Sequence, residues 1–241
     1  MINRLPFFKL LTFLAALIFI SLTAKNYWGS VTIVVDACST CSRQSVDARY
    51  INLESRKDRR KQAEAELLSQ NIHAERINAS VFKFDYGSPG AAGCSLSHIR
   101  ALNSTNADIA LIFEDDFQFL GKFPMEDIVY PSFDWDVILF GYSGRPGKKC
   151  LLVNNSKFCT ATNMATTSAY AVKKSYIPFL ISIFEISLRN LLNRKSEKIL
   201  PLDEVWKLLQ EHDNWYVYQP RVVKQRSGYS DIYKQKVIRK F

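Results

Sequence analysis

A second metal-type cysteine pair is missing from this chain. Among its five cysteines, Cys38-Ser39-Thr40-Cys41 has the spacing of a redox or zinc half-site, but nothing completes a four-ligand set. Neither a helix-turn-helix pattern nor an aromatic RNA-binding signature accompanies the formal charge of +9, so the basic balance does not point to nucleic acid. Internal repeats and low-complexity tracts are absent too, which removes solenoids and disordered tails from consideration. A full-length membrane span is also lacking. The apolar run from Leu10 to Ala24, extendable back to Phe7 across Lys9, falls between a signal-peptide core and a complete span. No clean small-x-small cleavage site follows it, because Leu22 stands two before Ala24 and the Ser21/Thr23 alternative is weaker. Arg4 and Lys9 precede the run and favour a cytoplasmic N-terminus. Residues 1–24 therefore read as a short type II signal anchor, with a cleaved signal peptide as the alternative.

What is present suits one substantial domain. The chain has 241 residues, of which 47% are hydrophobic, enough for a single enzyme-sized core and short for two. Residues 25–48 read as a stem, in which only Val31–Val35 is sustainedly apolar, and 49–241 as the folded domain. An anchored chain would face a lumen or the outside. Asn78-Ala79-Ser80, Asn103-Ser104-Thr105 and Asn154-Asn155-Ser156 are glycosylation acceptors that fit such a setting. Cys150 and Cys159 flank a short polar loop and can pair there, Cys38 and Cys41 can form a local disulfide, and Cys94 reads as a free buried thiol.

Strands and helices alternate along the domain. Tyr50–Leu53 reads as a strand and 56–69 as a charged helix; the turn Gly87-Ser88-Pro89-Gly90 leads into a helix over 91–102. On that helix Ser95, Ile99 and Leu102 share one face, and Cys94 and His98 another. Strands follow at 108–113, at 135–140 closed by Gly141, and at 168–172, then helices at 174–192 and 203–211, and a strand at 215–218 ended by Pro220. This order predicts an α/β domain with a mostly parallel sheet.

Four segments carry chemistry. Ala110-Leu111-Ile112-Phe113 stops on Glu114-Asp115-Asp116, three carboxylates at the end of a buried strand, where ligands of α/β sheets bind. Adjacent negative charges there call for a cation, and oxygen ligands favour Mg²⁺ or Mn²⁺ over zinc. Asn52 through Arg59 ends a strand and opens a helix with Arg56 and Arg59, whose planar forks suit phosphate oxygens. Gly90 to His98 brings small residues into a helix N-terminus, which attracts anions. Asp203 follows Pro201 at a helix mouth, a position that serves an N-cap or a general base.

In this order the segments resemble glycosyltransferase family 25, the group of lipooligosaccharide and procollagen galactosyltransferases. The matching text is Ile51-Asn52-Leu53 with Arg56, Asp58 and Arg59, then Gly93-Cys94 with Ser97-His98, Glu114-Asp115-Asp116, and Asp203. The resemblance spans roughly 49–232. It implies a single-domain α/β fold of the GT-A type, preceded by an N-terminal hydrophobic helix. It also implies inverting, metal-dependent transfer of a hexose, galactose being the family's commonest, from a UDP-sugar to a glycan or glycoprotein acceptor. On this likeness Asp116 and Glu114 hold Mn²⁺ or Mg²⁺, Asp115 assists, and Glu114 also faces the sugar or ribose. Asn52, Arg56, Arg59, Gly93, Ser97 and His98 lie around the donor, and Asp203 is the base. The hydrophobic segment points to a secretory-pathway membrane, Golgi or endoplasmic reticulum in a eukaryote. A collagen acceptor is not implied, since the second transferase-like domain and retention tail of procollagen enzymes are missing. Residues 225–232 read either as a flap over the nucleotide or as a surface tail. Two rival readings use the same residues: a metal-dependent phosphohydrolase, and a catalytically silent membrane-anchored sugar-binding protein.

Overall fold

The computed structural model describes residues 31–36, 41–130, 132–193, 200–232 and 234–238. The apolar segment 1–24 and Cys38 lie outside them. Among the described residues no helix is long and apolar enough to cross a membrane. The chain runs Val31–Val35 (β1), Val46–Asn52 (β2), Lys57–Ser69 (α1), Ala74–Asn78 (β3), Pro89–Asn103 (α2), Ile109–Glu114 (β4), Phe117–Phe119 (β5), Met125–Val129 (α3) and Val137–Ser143 (β6). It continues through Lys149–Val153 (β7), Ser156–Thr160 (β8), Ala165–Lys173 (β9), Ile177–Leu192 (α4), Leu202–Val205 (α5), Lys207–Gln210 (α6) and Trp215–Gln219 (β10). Short strands Val223–Gln225 (β11), Gly228–Ser230 (β12) and Gln235–Val237 (β13) end it.

Nine strands form one sheet in the order β1-β7-β8-β10-β6-β9-β4-β2-β3. The sheet is mixed, which corrects the mostly parallel expectation. The β1/β7, β10/β6, β2/β4 and β2/β3 pairs are parallel, and the β7/β8, β8/β10, β6/β9 and β4/β9 pairs are antiparallel. One antiparallel pair, β7/β8, is a hairpin that the sequence reading did not place, and β9 adds two more by entering between β4 and β6. Asn154 and Asn155 both adopt left-handed φ, +48° and +66°, giving the two-residue turn between β7 and β8 that matches the twist of paired strands. Cys150 and Cys159 face each other across this hairpin and form a disulfide, the pairing expected of them. Two segments assigned to the stem belong to the sheet: β1 pairs along β7, and β2 starts at Val46.

Helices cover both faces of the central strands, and strand alternation sorts side chains between them. In β4, Ala110 and Ile112 join a core with Ile99 and Leu102 of α2, Leu180 and Phe184 of α4, and Trp206. Ile109, Leu111 and Phe113 join the other core, with Ala63 and Leu67 of α1 and Phe117 and Phe123 beyond the strand. Thus a continuous apolar run is what a strand covered on both sides requires. Buried positions 177, 180, 184, 187 and 191 of α4 recur at steps of three and four, the helical period. The helix read over 203–211 is instead two single turns, α5 and α6, separated at Trp206. There the indole is buried and donates to the Met164 carbonyl at 2.9 Å, while the Gln210 amide donates to the same oxygen at 2.9 Å.

Small residues bring α2 close to its neighbours. A Cβ on Gly93 would stand 2.4 Å from the Ser80 carbonyl oxygen, and the Ser97 hydroxyl one turn later accepts from Ser80 N–H at 2.8 Å. Gly93→Ala is expected to destabilise the fold by about 1–3 kcal/mol through overpacking, measured by urea denaturation. Helix propensity alone would make alanine more stable by up to about 1 kcal/mol, so the sign of the change reports this contact.

Candidate functional site

The parallel strands β2 and β4 end side by side, and α1 begins directly above them. Their alternation gives the three acids different surroundings. Asp115 continues the face that carries Leu111 and Phe113, and meets α1: Arg59 Nη1 donates to its Oδ1 at 2.8 Å and Asn52 Nδ2 to its Oδ2 at 2.7 Å. Glu114 continues the face of Ala110 and Ile112, and meets α2 and β9. His98 Nε2 lies 3.3 Å from Glu114 Oε1, and the Thr167 hydroxyl donates to the same oxygen. Asp116 follows in the turn, its carboxylate 3.6 Å from Arg59, and lines an open cleft of about 640 Å³.

That cleft is framed by Arg56 and Arg59 from the start of α1, Asp116 and Gln118 after β4, and Lys224 and Arg226 near the C-terminus. The late polar segment is bound against the acids. Strand β11 pairs with β5 immediately after the triplet. Arg226 N–H donates to the Asp116 carbonyl at 2.6 Å, Gln225 Nε2 to Glu114 Oε2 at 3.4 Å, and Arg59 Nη2 to the Tyr229 carbonyl at 2.7 Å. Arg56 pairs with Asp231 at 2.5 Å as well as with Asp58 at 2.7 Å. Gly90, at the opening of α2, is crossed by Ile232, whose Cα would lie 2.8 Å from a Cβ there. The anion-type helix terminus read from the sequence is therefore covered by the chain itself.

His98 is wholly buried, its Nδ1 3.0 Å from the Tyr170 hydroxyl, so it positions Glu114 and does not reach the open cleft. Gly93 and Ser97 are taken up by packing on residue 80, and Ser97 also donates to the Gly93 carbonyl at 2.6 Å. Neither lines the cleft. Asp203 lies in the first turn of α5 and caps nothing in its own helix; its Oδ2 accepts from Thr166 N–H at 3.1 Å. Thr166 has φ +81°, rare for a β-branched residue, and is followed by Thr167, which binds Glu114. Neighbouring residues of β9 thus hold Glu114 and Asp203. The sequence reading missed Thr166, Thr167 and Tyr170, because nothing local marks a threonine as strained or a tyrosine as the partner of a distant histidine.

The carboxylates differ electrostatically. Burial raises the pKa of Asp203, only partly offset by the Thr166 N–H, and the Glu114 charge adds to the rise. Burial acts on Glu114 in the same sense, but hydrogen bonding to His98, its charge interaction with that ring and the Thr167 hydroxyl prevail, and its pKa is lowered. Asp115 is raised by burial against the opposing pull of Arg59 and Asn52.

No protein-family model and no curated protein gives a significant match to the sequence. Solved structures give distant ones. A glycosyltransferase involved in glycosylation of the major capsid of PBCV-1 aligns over 77% of this chain and 94% of its own, with 7% identity and a TM-score of 0.49. A point mutant of Drosophila β1,4-galactosyltransferase 7, solved with manganese, UDP-Gal and xylobiose, aligns over 81% and 76%, with 11% identity and a TM-score of 0.43. Protein A197 from STIV aligns over 71% and 80%, with 9% identity and a TM-score of 0.41. Likeness this loose fixes neither fold family nor function.

Asp115→Ala is expected to cost roughly 2–3 kcal/mol, because the largely buried Arg59 loses its nearest carboxylate. Asp116→Ala should cost less, its carboxylate being farther from Arg59. Chemical denaturation of the two variants side by side measures the difference.

Proposed function

We propose that this protein is a metal-dependent glycosyltransferase of the GT-A type, transferring a hexose from a UDP-sugar to a glycan or glycoprotein hydroxyl with inversion. The observation that carries this reading is the cleft in which Arg56, Arg59 and Asp116 meet at the carboxyl ends of parallel strands. Guanidiniums at a helix start bind a diphosphate in forked geometry. Asp115 is committed to Arg59 and Asn52, which leaves Asp116 as the acid of the triplet that lines the cleft. One carboxylate completed by substrate phosphate oxygens is an ordinary donor set for Mg²⁺ or Mn²⁺, so these residues fit the ion. When bound, such an ion stabilises the charge that develops on departing UDP. Glu114, held by His98 and Thr167, serves the sugar side of the site.

Asp203 takes the acceptor proton. Its carboxylate is oriented by Thr166 and its raised pKa brings it nearer the working pH, as a general base requires. The proposal also includes the uncleaved anchor at 1–24 and a lumenal secretory-pathway domain. The Cys150–Cys159 disulfide supports an oxidising compartment.

Calorimetric titration of UDP with Mn²⁺, followed by a UDP-sugar panel, tests the reading. Asp116→Asn should lower Mn²⁺-dependent UDP affinity at least tenfold. Unchanged affinity in a folded variant removes the metal site, phosphate release from simple esters without an acceptor identifies a phosphohydrolase, and UDP binding with no turnover identifies a silent binder.

Asp203→Asn should bind UDP normally and lose about 10²-fold or more in transfer. A folded-state pKa above the unfolded value makes the ionised form a cost to folding, present above the folded pKa and gone below the unfolded one. Wild-type stability should therefore rise as pH falls through that window. The variant, which keeps an acceptor for Thr166, should lose this gain and melt no lower than wild type at neutral pH. Transfer by the wild type should decline over the same acidic range as the base becomes protonated.

A further inference from the structure

We propose a second cation site, for a borderline-soft ion such as Zn²⁺, formed by Cys94 Sγ, His98 Nε2 and Glu114 Oε1. One ligand atom from each of the three residues lies within 4.8 Å of the others. Ligands bound to tetrahedral zinc at about 2.0–2.1 Å stand roughly 3.3–3.4 Å apart, and His98 Nε2 and Glu114 Oε1 are already 3.3 Å apart. Cys94 and His98 are four residues apart on α2, so one helix face presents both. Tyr170 supplies the outer partner that a metal-binding imidazole usually has, at 3.0 Å from Nδ1. The set of thiol, imidazole and one carboxylate differs from the oxygen ligands proposed at Asp116 and selects a different metal. Three protein ligands leave a fourth position for water, and the Glu114 side chain is 20% exposed.

On binding, the Cys94 thiol gives its proton to solvent and the thiolate bonds to the metal. His98 Nε2 binds through its lone pair, any proton it holds toward Glu114 passing to solvent, and the imidazole keeps one proton on Nδ1 facing the Tyr170 oxygen. Glu114 also accepts from Gln225 of the cleft wall, so an ion here competes with that hydrogen bond, loosens the wall and inhibits transfer. This consequence rests on the transferase reading; the site itself does not.

The test is spectroscopic and needs no turnover. Full-length protein in detergent is stripped with chelator and titrated with Co²⁺. Wild type should develop a thiolate-to-cobalt charge-transfer band that one equivalent of Zn²⁺ abolishes and excess Mg²⁺ leaves intact. Cys94→Ser, checked for an unchanged melting temperature, should show no such band and at least tenfold weaker Zn²⁺ binding. Glu114→Gln should keep the band and bind more weakly. Absence of the band in wild type, or its persistence in Cys94→Ser, overturns the site, whatever the outcome of the UDP titration.

Discussion

Burial of β4 on both faces is the constraint from which the site follows. A strand with helices on each side must be apolar at every position, and five consecutive residues, Ile109 to Phe113, obey this. The same alternation continues for two residues past the end of the core. It delivers Glu114 to the α2 face and Asp115 to the α1 face, where opposite partners await them. Three adjacent carboxylates are tolerable at the edge of a core because each has its own set of neighbours, with Arg59 standing near two of them. One is hydrogen-bonded by a histidine and a threonine, one is paired with a guanidinium and an amide, and one opens on a cleft.

Arg59 ties distant parts of the chain to that strand end. It reaches Asp115, stands near Asp116 and donates to the Tyr229 carbonyl, so α1, the triplet and the C-terminal segment converge on one guanidinium. Arg56 repeats the arrangement with Asp58 and Asp231. A planar fork with several donors can serve several acceptors at once, which an ammonium on a flexible stem cannot do with the same geometry. The polar segment that could equally have been a surface tail is thereby one wall of the cleft, and its path over α2 is open because Gly90 has no side chain.

Much of this was legible in the residues, and the limits have physical causes. The strand of Ala110 to Phe113, the long amphipathic helix and the capped helix after Ser88 are local patterns, and each appears within a few residues of its expected bounds. Sheet direction is not local. Two asparagines in left-handed conformation turn β7 back on β8, and β9 enters antiparallel between β4 and β6. Nothing in the apolar runs records that. The contents of the site divide in the same way. Arg56, Arg59 and the acids could be named because their chemistry is unusual where they stand. Gly93 and Ser97 look like ligand-approach residues, yet their smallness is used to seat α2 against residue 80. His98 is buried from the cleft by Tyr170 and Glu114, contacts made across 72 and 16 residues.

Glu114 and Asp203 show why position alone does not assign a role to a carboxylate. Both are held by consecutive residues at the start of β9, and each is drawn out of water by the same core. Glu114 has two hydrogen-bonding partners on one oxygen, and these lower its pKa despite burial; Asp203 has a single backbone N–H, and its pKa rises. The ionised charge of the first adds to the rise of the second. Two acids pushed apart in this manner can divide labour, one remaining a fixed anion while the other takes up a proton more readily. Thr166 touches both sides of the division: its left-handed backbone aims its N–H at Asp203, which restrains the rise there, while the next residue turns its hydroxyl to Glu114. Burial with a single hydrogen-bond donor thus raises the one acid, and a fuller set of partners lowers the other.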